Sequence, residues 1–229
     1  MDKPKRCSYF TRLEKGLWLA SAAAIIVSFC VFDRMNWLTL AASLIGVTSL
    51  IFSAKGNPIG QALMVVFSLL YGVISWQFAY YGEMITYLGM TMPMAIVALV
   101  AWLRHPYAGR RAEVQVSDIS PWDVLVMCLV TTAVTGVFFV ILRALHTANL
   151  LPSTISVTTS FAAVYLTWKR SPWYALAYAA NDLVLIVLWI LASLTDIRYL
   201  SVVVCFAAFL VNDLYGFVSW RQMRRRQAG

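Results

Sequence analysis

The stretch WYALAYAANDLVLIVLWILAS, residues 173–193, decides how the rest of the chain is read. At about 1.5 Å per residue it reaches across the roughly 30 Å of a bilayer's hydrocarbon, and near its midpoint Asn181 and Asp182 interrupt an otherwise apolar run. An ionised Asp at the centre of a spanning helix costs about 2.5 to 3.5 kcal/mol on insertion scales, and no Lys or Arg within the stretch offsets it. Two readings of Asp182 stay open: a group that binds a solute, or a protonated side chain bonded to a neighbouring helix.

The same pattern of long apolar runs and short charged islands extends in both directions. Of the 229 residues, 61% are apolar, and the mean hydropathy is +0.75. This composition excludes a soluble globular domain and indicates an all-α polytopic membrane protein. Runs long enough to span lie near 17–33, 37–54, 59–80, 83–103, 122–142, 151–168, 173–193 and 197–220, eight in all. Pro58, Pro121, Pro152 and Pro172 fall at helix starts, where a missing N–H is harmless. Pro93 falls inside a run and should kink the fourth helix, as a hinge or as a packing bend.

The net charge of +8 does not indicate nucleic acid, because the basic residues sit at the edges of apolar runs. One side of the membrane collects Lys3, Lys5, Arg6, Arg12, Lys15, Lys55, Arg104, Arg110, Arg111, Lys169, Arg170 and the tail from Arg221 to Arg226, whereas Arg34, Arg143 and Arg198 lie on the other. Both termini of a multi-pass protein in the plasma or inner membrane are therefore expected in the cytoplasm. The tail RQMRRR reads as a topology anchor, and Trp102 and Trp220 as residues of the aromatic belt at the membrane surface. The first apolar run reads as a retained helix, since its small-residue cluster lies within the run. Cys7, Cys30, Cys128 and Cys205 are too scattered for a metal site and are expected to be reduced thiols.

Helices two to four and six to eight form two three-helix sets of the same direction, joined by the fifth. The expected divisions are 1–36 (N-terminus and extra first helix), 37–104 (first set), 105–148 (loop and linker helix), 149–222 (second set) and 223–229 (basic tail). On the seventh helix Tyr178, Asp182 and Trp189 share one stripe, with Asn181 on an adjacent one. On the eighth Asn212, Tyr215, Gly216 and Ser219 line up, with Asp213 about 100° away. Tyr71, Tyr87 and Trp76 from the first set can supply the opposite wall. A carboxylate among aromatic rings suits a cationic, heteroaromatic, nucleoside-like solute. No nucleophile–base pair and no phosphate-binding loop stands out, so neither an enzyme nor a bound cofactor is expected. The expected partners are a small-molecule solute and the lipid bilayer, with no nucleic acid, and a homo-oligomer is compatible with the sequence.

ASLIG (42–46), AKG (54–56), LLYG (69–72), YYGE (80–83), Pro93-Met94 followed by Trp102, Ser153-Thr154, Lys169-Arg170 and the run from Asn212 to Gly216 ending at Trp220 occur in an order that resembles the PnuC family of nicotinamide riboside transporters. The resemblance implies a three-plus-one-plus-three helix body similar to that of SWEET transporters, with one extra N-terminal helix. It also implies facilitated diffusion of a vitamin precursor that a cytosolic kinase then traps for NAD biosynthesis. Carried over by position, it puts Asp182 and Asn212 on the solute cavity with the rings of Tyr71 and Tyr215. Phe67, Ala95, Ala175 and Tyr178 depart from the family's usual Asn, Gln and paired Trp, which leaves thiamine open beside nicotinamide riboside.

Overall fold

A computed structural model describes residues 9–77, 80–147 and 149–229. Lys3, Lys5, Arg6 and Cys7, and the expected end of the third helix at 78–79, lie outside these. Among the described residues eight helices are long and apolar enough to cross a membrane. They are α1 (Arg12–Phe32), α2 (Trp37–Ala54), α3 (Pro58–Gln77), α4 (Tyr81–Arg104), α5 (Pro121–Ala144), α6 (Leu150–Trp168), α7 (Trp173–Ser193) and α8 (Leu200–Ala228), the last preceded by a short turn at Ile197–Tyr199. Successive helices reverse direction, so the bundle has a basic end, where α1 starts and α8 finishes, and a far end.

The helix starts follow from local chemistry. Thr11 accepts from the Glu14 amide while the Glu14 carboxylate accepts from the Thr11 amide, and this capping box begins α1 at Arg12, five residues before its apolar run. Ser120 and Asp123 start α5 in the same way, with Pro121 in the first turn. Inside α4 the segment Tyr87–Thr91 is a π-helical turn in which the Met92 amide reaches back to the Tyr87 carbonyl. Pro93 cannot donate, and the widened turn just before it absorbs the lost bond.

The two three-helix sets, α2–α3–α4 and α6–α7–α8, meet along two seams, α2 against α8 and α4 against α6. Helix α1 lies on α8 and α2. Helix α5 sits at the periphery against α6, where the Thr135 and Thr158 hydroxyls share a 2.9 Å hydrogen bond. Cys30, Cys128 and Cys205 are unpaired thiols.

The basic end adds detail to the sequence reading and corrects one expectation, that for its two tryptophans. The loop after α4 contains an antiparallel hairpin, β1 (Pro106–Tyr107) and β2 (Arg110–Val114), closed by Ala108 and Gly109, both at positive φ. Its Val114 amide donates to the Gly56 carbonyl at 2.9 Å, and α8 runs on to Ala228 against it. Arg224 pairs with Asp118 and Arg226 with Glu113, so two of the tail's arginines fasten α8 to the loop after α4. Trp102 and Trp220 are not belt residues, since both are fully buried with ring centroids 5.3 Å apart. Their indole N–H groups donate to the carbonyls of Thr167 (3.0 Å) and Ser53 (2.8 Å), near the ends of α6 and α2. Each carbonyl also accepts a turn amide, Arg170 on Thr167 and Gly56 on Ser53, so the indole takes the second lone pair of a helix-end carbonyl.

Candidate functional site

A cavity at mid-membrane depth lies where the two sets converge, lined by polar Asp182, Asp213, Asn181, Ser160 and Thr91 and by the rings of Tyr178, Tyr87, Phe67, Phe206 and Phe209. The carboxyls of Asp182 and Asp213 face each other within hydrogen-bonding reach, and Asp182 Oδ2 has no donor among the described residues. Both residues are about 3–4% exposed. A buried pair of carboxyls needs a cation or a shared proton between them, and no Lys or Arg lines the cavity to serve as that cation.

Asn181 is held in place by α6, its Oδ1 accepting from Thr159 (2.8 Å) and Ser160 (3.0 Å). On the other wall Tyr71 lies 4.3 Å from Tyr87, ring to ring, and its far side meets Trp189 at 6.2 Å. Tyr71 and Trp189 thus form a second layer over the cavity toward the far end, joined there by Tyr80 and Tyr199. Toward the basic end Tyr174, Trp102 and Trp220 form the corresponding plug. The space left between is about 20 Å³, room for one water or so, which makes this a closed state of the site.

Gly46 on α2 sets the width of the cavity. A Cβ there would stand 2.3 Å from Phe209 Cζ and 3.0 Å from Phe67 Cδ2. Gly46→Ala should therefore push these rings across the cavity and reduce solute binding at least tenfold, measured as the half-saturation of uptake, with the bundle still folded.

Of the sequence candidates, the structure brings Asp182, Asn181, Tyr178 and Tyr87 together at the cavity, with Tyr71 and Trp189 behind them. Asn212 and Tyr215 are elsewhere. The Asn212 amide donates to Ser21 Oγ of α1 at 2.9 Å and to the Ala208 carbonyl, and the Tyr215 hydroxyl donates to Glu14 at 3.0 Å. Glu14 is itself buried and paired with Lys55 at 3.1 Å. The stripe of α8 that carries Asn212, Tyr215 and Ser219 is covered by α1 and the end of α2, and the 100° step to Asp213 is what faces the cavity. Trp76 is 61% exposed on the outside of the bundle. Asn212→Ala should therefore cost about 1 kcal/mol of stability by loosening α1 while leaving the half-saturation of uptake within twofold. Asp213, Ser160 and Thr91 were not singled out from the sequence. The second Asn-Asp pair was its only signal for Asp213, and nothing there chose between the two members.

Three comparisons bear on this site. The family described as nicotinamide mononucleotide transporter matches residues 36–222, a region that begins just after α1. A protein of Neisseria mucosa named nicotinamide riboside transporter PnuC is 26% identical over 220 residues, covering 94% of this chain and 83% of that protein. A Haemophilus influenzae protein of the same name is 23% identical over 215 residues, covering 92% and 90%. The crystal structure of the vitamin B3 transporter PnuC shares the fold at a TM-score of 0.81, with 24% identity and coverage of 95% of this chain and 94% of that one.

Proposed function

The chain belongs to the nicotinamide mononucleotide transporter family, and on that premise we propose that it imports the unphosphorylated nicotinamide riboside by facilitated diffusion. The observation that carries the choice of solute is the pair of facing carboxyls in a cavity without a basic side chain. Nicotinamide riboside is a cation with a flat ring and a ribose. Its charge offsets the carboxyl pair, its ring can lie against Tyr178, Tyr87 and Phe67, and its hydroxyls and amide can bond to Asn181, Ser160 and Thr91. A mononucleotide would bring a phosphate to the same carboxyls with no Arg or Lys to receive it, which strongly disfavours it.

In the proposed cycle the closed cavity opens by movement of the two helix sets, 37–104 and 149–222, about the π-turn and Pro93 of α4, first toward one face and then toward the other. The excess of Lys and Arg at one end supports an orientation with both termini in the cytoplasm, so that the tryptophan plug guards the inner face and the Tyr71–Trp189 layer the outer. Phosphorylation of the riboside inside the cell would keep the gradient directed inward.

Two measurements on purified protein test the proposal. Labelled nicotinamide riboside should accumulate in protein-containing liposomes, and at 100 times its dissociation constant it should stabilise the protein by about 2.7 kcal/mol in a thermal shift. Nicotinamide mononucleotide should do neither. A shift with thiamine but none with the riboside would transfer the same site to the other cationic vitamin, and equal shifts with riboside and mononucleotide would overturn the charge argument.

A further inference from the structure

The buried charged side chains among the described residues are Glu14, Asp33, Glu83, Asp182 and Asp213, with no Lys or Arg among them. Glu14 has Lys55, Asp33 feels Arg198, and the two aspartates meet in the cavity. Glu83 has neither explanation. It is 2% exposed, in the first turn of α4, and its Oε2 has no hydrogen-bond partner. The N-terminus of α4 offsets part of its charge, but an acidic side chain buried without a basic neighbour remains costly and is a candidate for function.

Its position gives it a use. Glu83 stands four residues before Tyr87, which stands four before Thr91, and the π-turn between them keeps this row on one face of α4. Tyr87 and Thr91 line the cavity, so Glu83 is the next group outward along the same row. It is close enough to Tyr71 and Tyr87 to interact electrostatically with both. The facing surface of α3 carries Gly72, where an added Cβ would stand 2.5 Å from Leu88, and on that surface Ser68 and Ser75 are fully buried with unpartnered hydroxyls. Outward from the cavity the protein therefore holds an acid, the free hydroxyl of Ser75 and the ring of Tyr71, with Ser68 level with the cavity-lining Phe67.

We propose that Glu83, Ser75 and Tyr71 form an outer station for the solute, which receives the cationic ring and its hydroxyl groups before the ring passes Tyr87 to Asp182 and Asp213. The assignment rests on the solute reading above and adds to it a second binding residue, one that selects charge on the way in. An arriving cation exchanges water for the Glu83 carboxylate and then for the deeper pair, so it is never far from an anion in the low-dielectric interior.

The test separates charge from shape. In liposomes holding wild type, Glu83→Gln or Glu83→Asp, the initial uptake of labelled nicotinamide riboside is competed by the unlabelled riboside and by its dihydropyridine form, which keeps the ribose and carboxamide but has a neutral ring. With Glu83→Gln the concentration of riboside needed for half-inhibition should rise about tenfold, while that of the neutral form moves less than twofold and the melting temperature holds. Glu83→Asp, which keeps the charge, should recover most of the loss. Equal shifts for both competitors, or none for either, would overturn the station while leaving the deep site intact. Wild type that carries no riboside at all would overturn the station and the solute reading together.

Discussion

Asp182→Asn should raise the half-saturation for riboside uptake by up to roughly a hundredfold while leaving the folded protein at least as stable as wild type. The two directions have one cause. Asp182 is buried opposite Asp213 with one oxygen unpartnered, so the empty site must hold a shared proton, and in the loaded site both carboxyls attract the same cation. Asparagine keeps the shape, spares the buried acid its desolvation and removes half of the attraction. A charge-assisted contact in such a place is worth about 1.5 to 3 kcal/mol, which sets the size of the loss. Uptake kinetics and a melting curve on the same preparation decide the matter. A variant that transports normally, or one that melts well below wild type, would show Asp182 to be interhelical glue and not a solute ligand. Asp213→Asn should behave alike, which distinguishes the pair from its neighbour Asn212.

Trp220→Ala should have the largest effect on stability, a loss of about 3 to 5 kcal/mol in a reversible denaturant titration in detergent. Its ring is fully buried, 4.9 Å from Tyr174 and 5.3 Å from Trp102, and its N–H is a donor to the Ser53 carbonyl. Truncation empties that volume and removes one of the donors to the Ser53 carbonyl, which keeps the Gly56 amide at 2.9 Å. Trp220→Phe keeps most of the ring and should lose only about 1 to 2 kcal/mol, chiefly the hydrogen bond. A Trp220→Ala protein that unfolds with wild type would return this side chain to the membrane surface, where the sequence alone had put it.

The belt reading of Trp102 and Trp220 failed for a reason that applies to every tryptophan in such a chain. Depth along the membrane normal follows from position in an apolar run, and both residues do lie at the ends of their apolar runs. Whether a ring at that depth turns to the headgroups or to the bundle depends on which neighbours are packed beside it. Trp76 turned outward and Trp220 inward, at opposite ends of the bundle and in similar local sequence, YGVISW and YGFVSW.

The tail's partners were hidden for a related reason. A run of arginines after an apolar span reads as a topology anchor, and nothing in it shows that Asp118 and Glu113 return to it from more than 100 residues away in the chain. Helix α1 shows the same limit from the other side. Its start was hidden among charged residues, and the capping box that sets it, Thr11 with Glu14, was legible but was outweighed by the later start of the apolar run.

By itself the sequence determined the number and order of the membrane-length helices and the level of Asn181, Asp182, Asn212 and Asp213 along them, because all of these depend on length, hydropathy and single-residue chemistry along one axis. Only the tertiary structure decided the rotation of each helix about its own axis, and with it the exchange of Asn212 for Asp213 at the cavity. In a soluble helix the apolar stripe would have revealed that rotation. A spanning helix is apolar all round, and lipid and protein interior look alike to a hydropathy pattern, so the facing side is settled by which neighbouring helix supplies the hydrogen-bond partner, here Ser21 and Glu14 of α1.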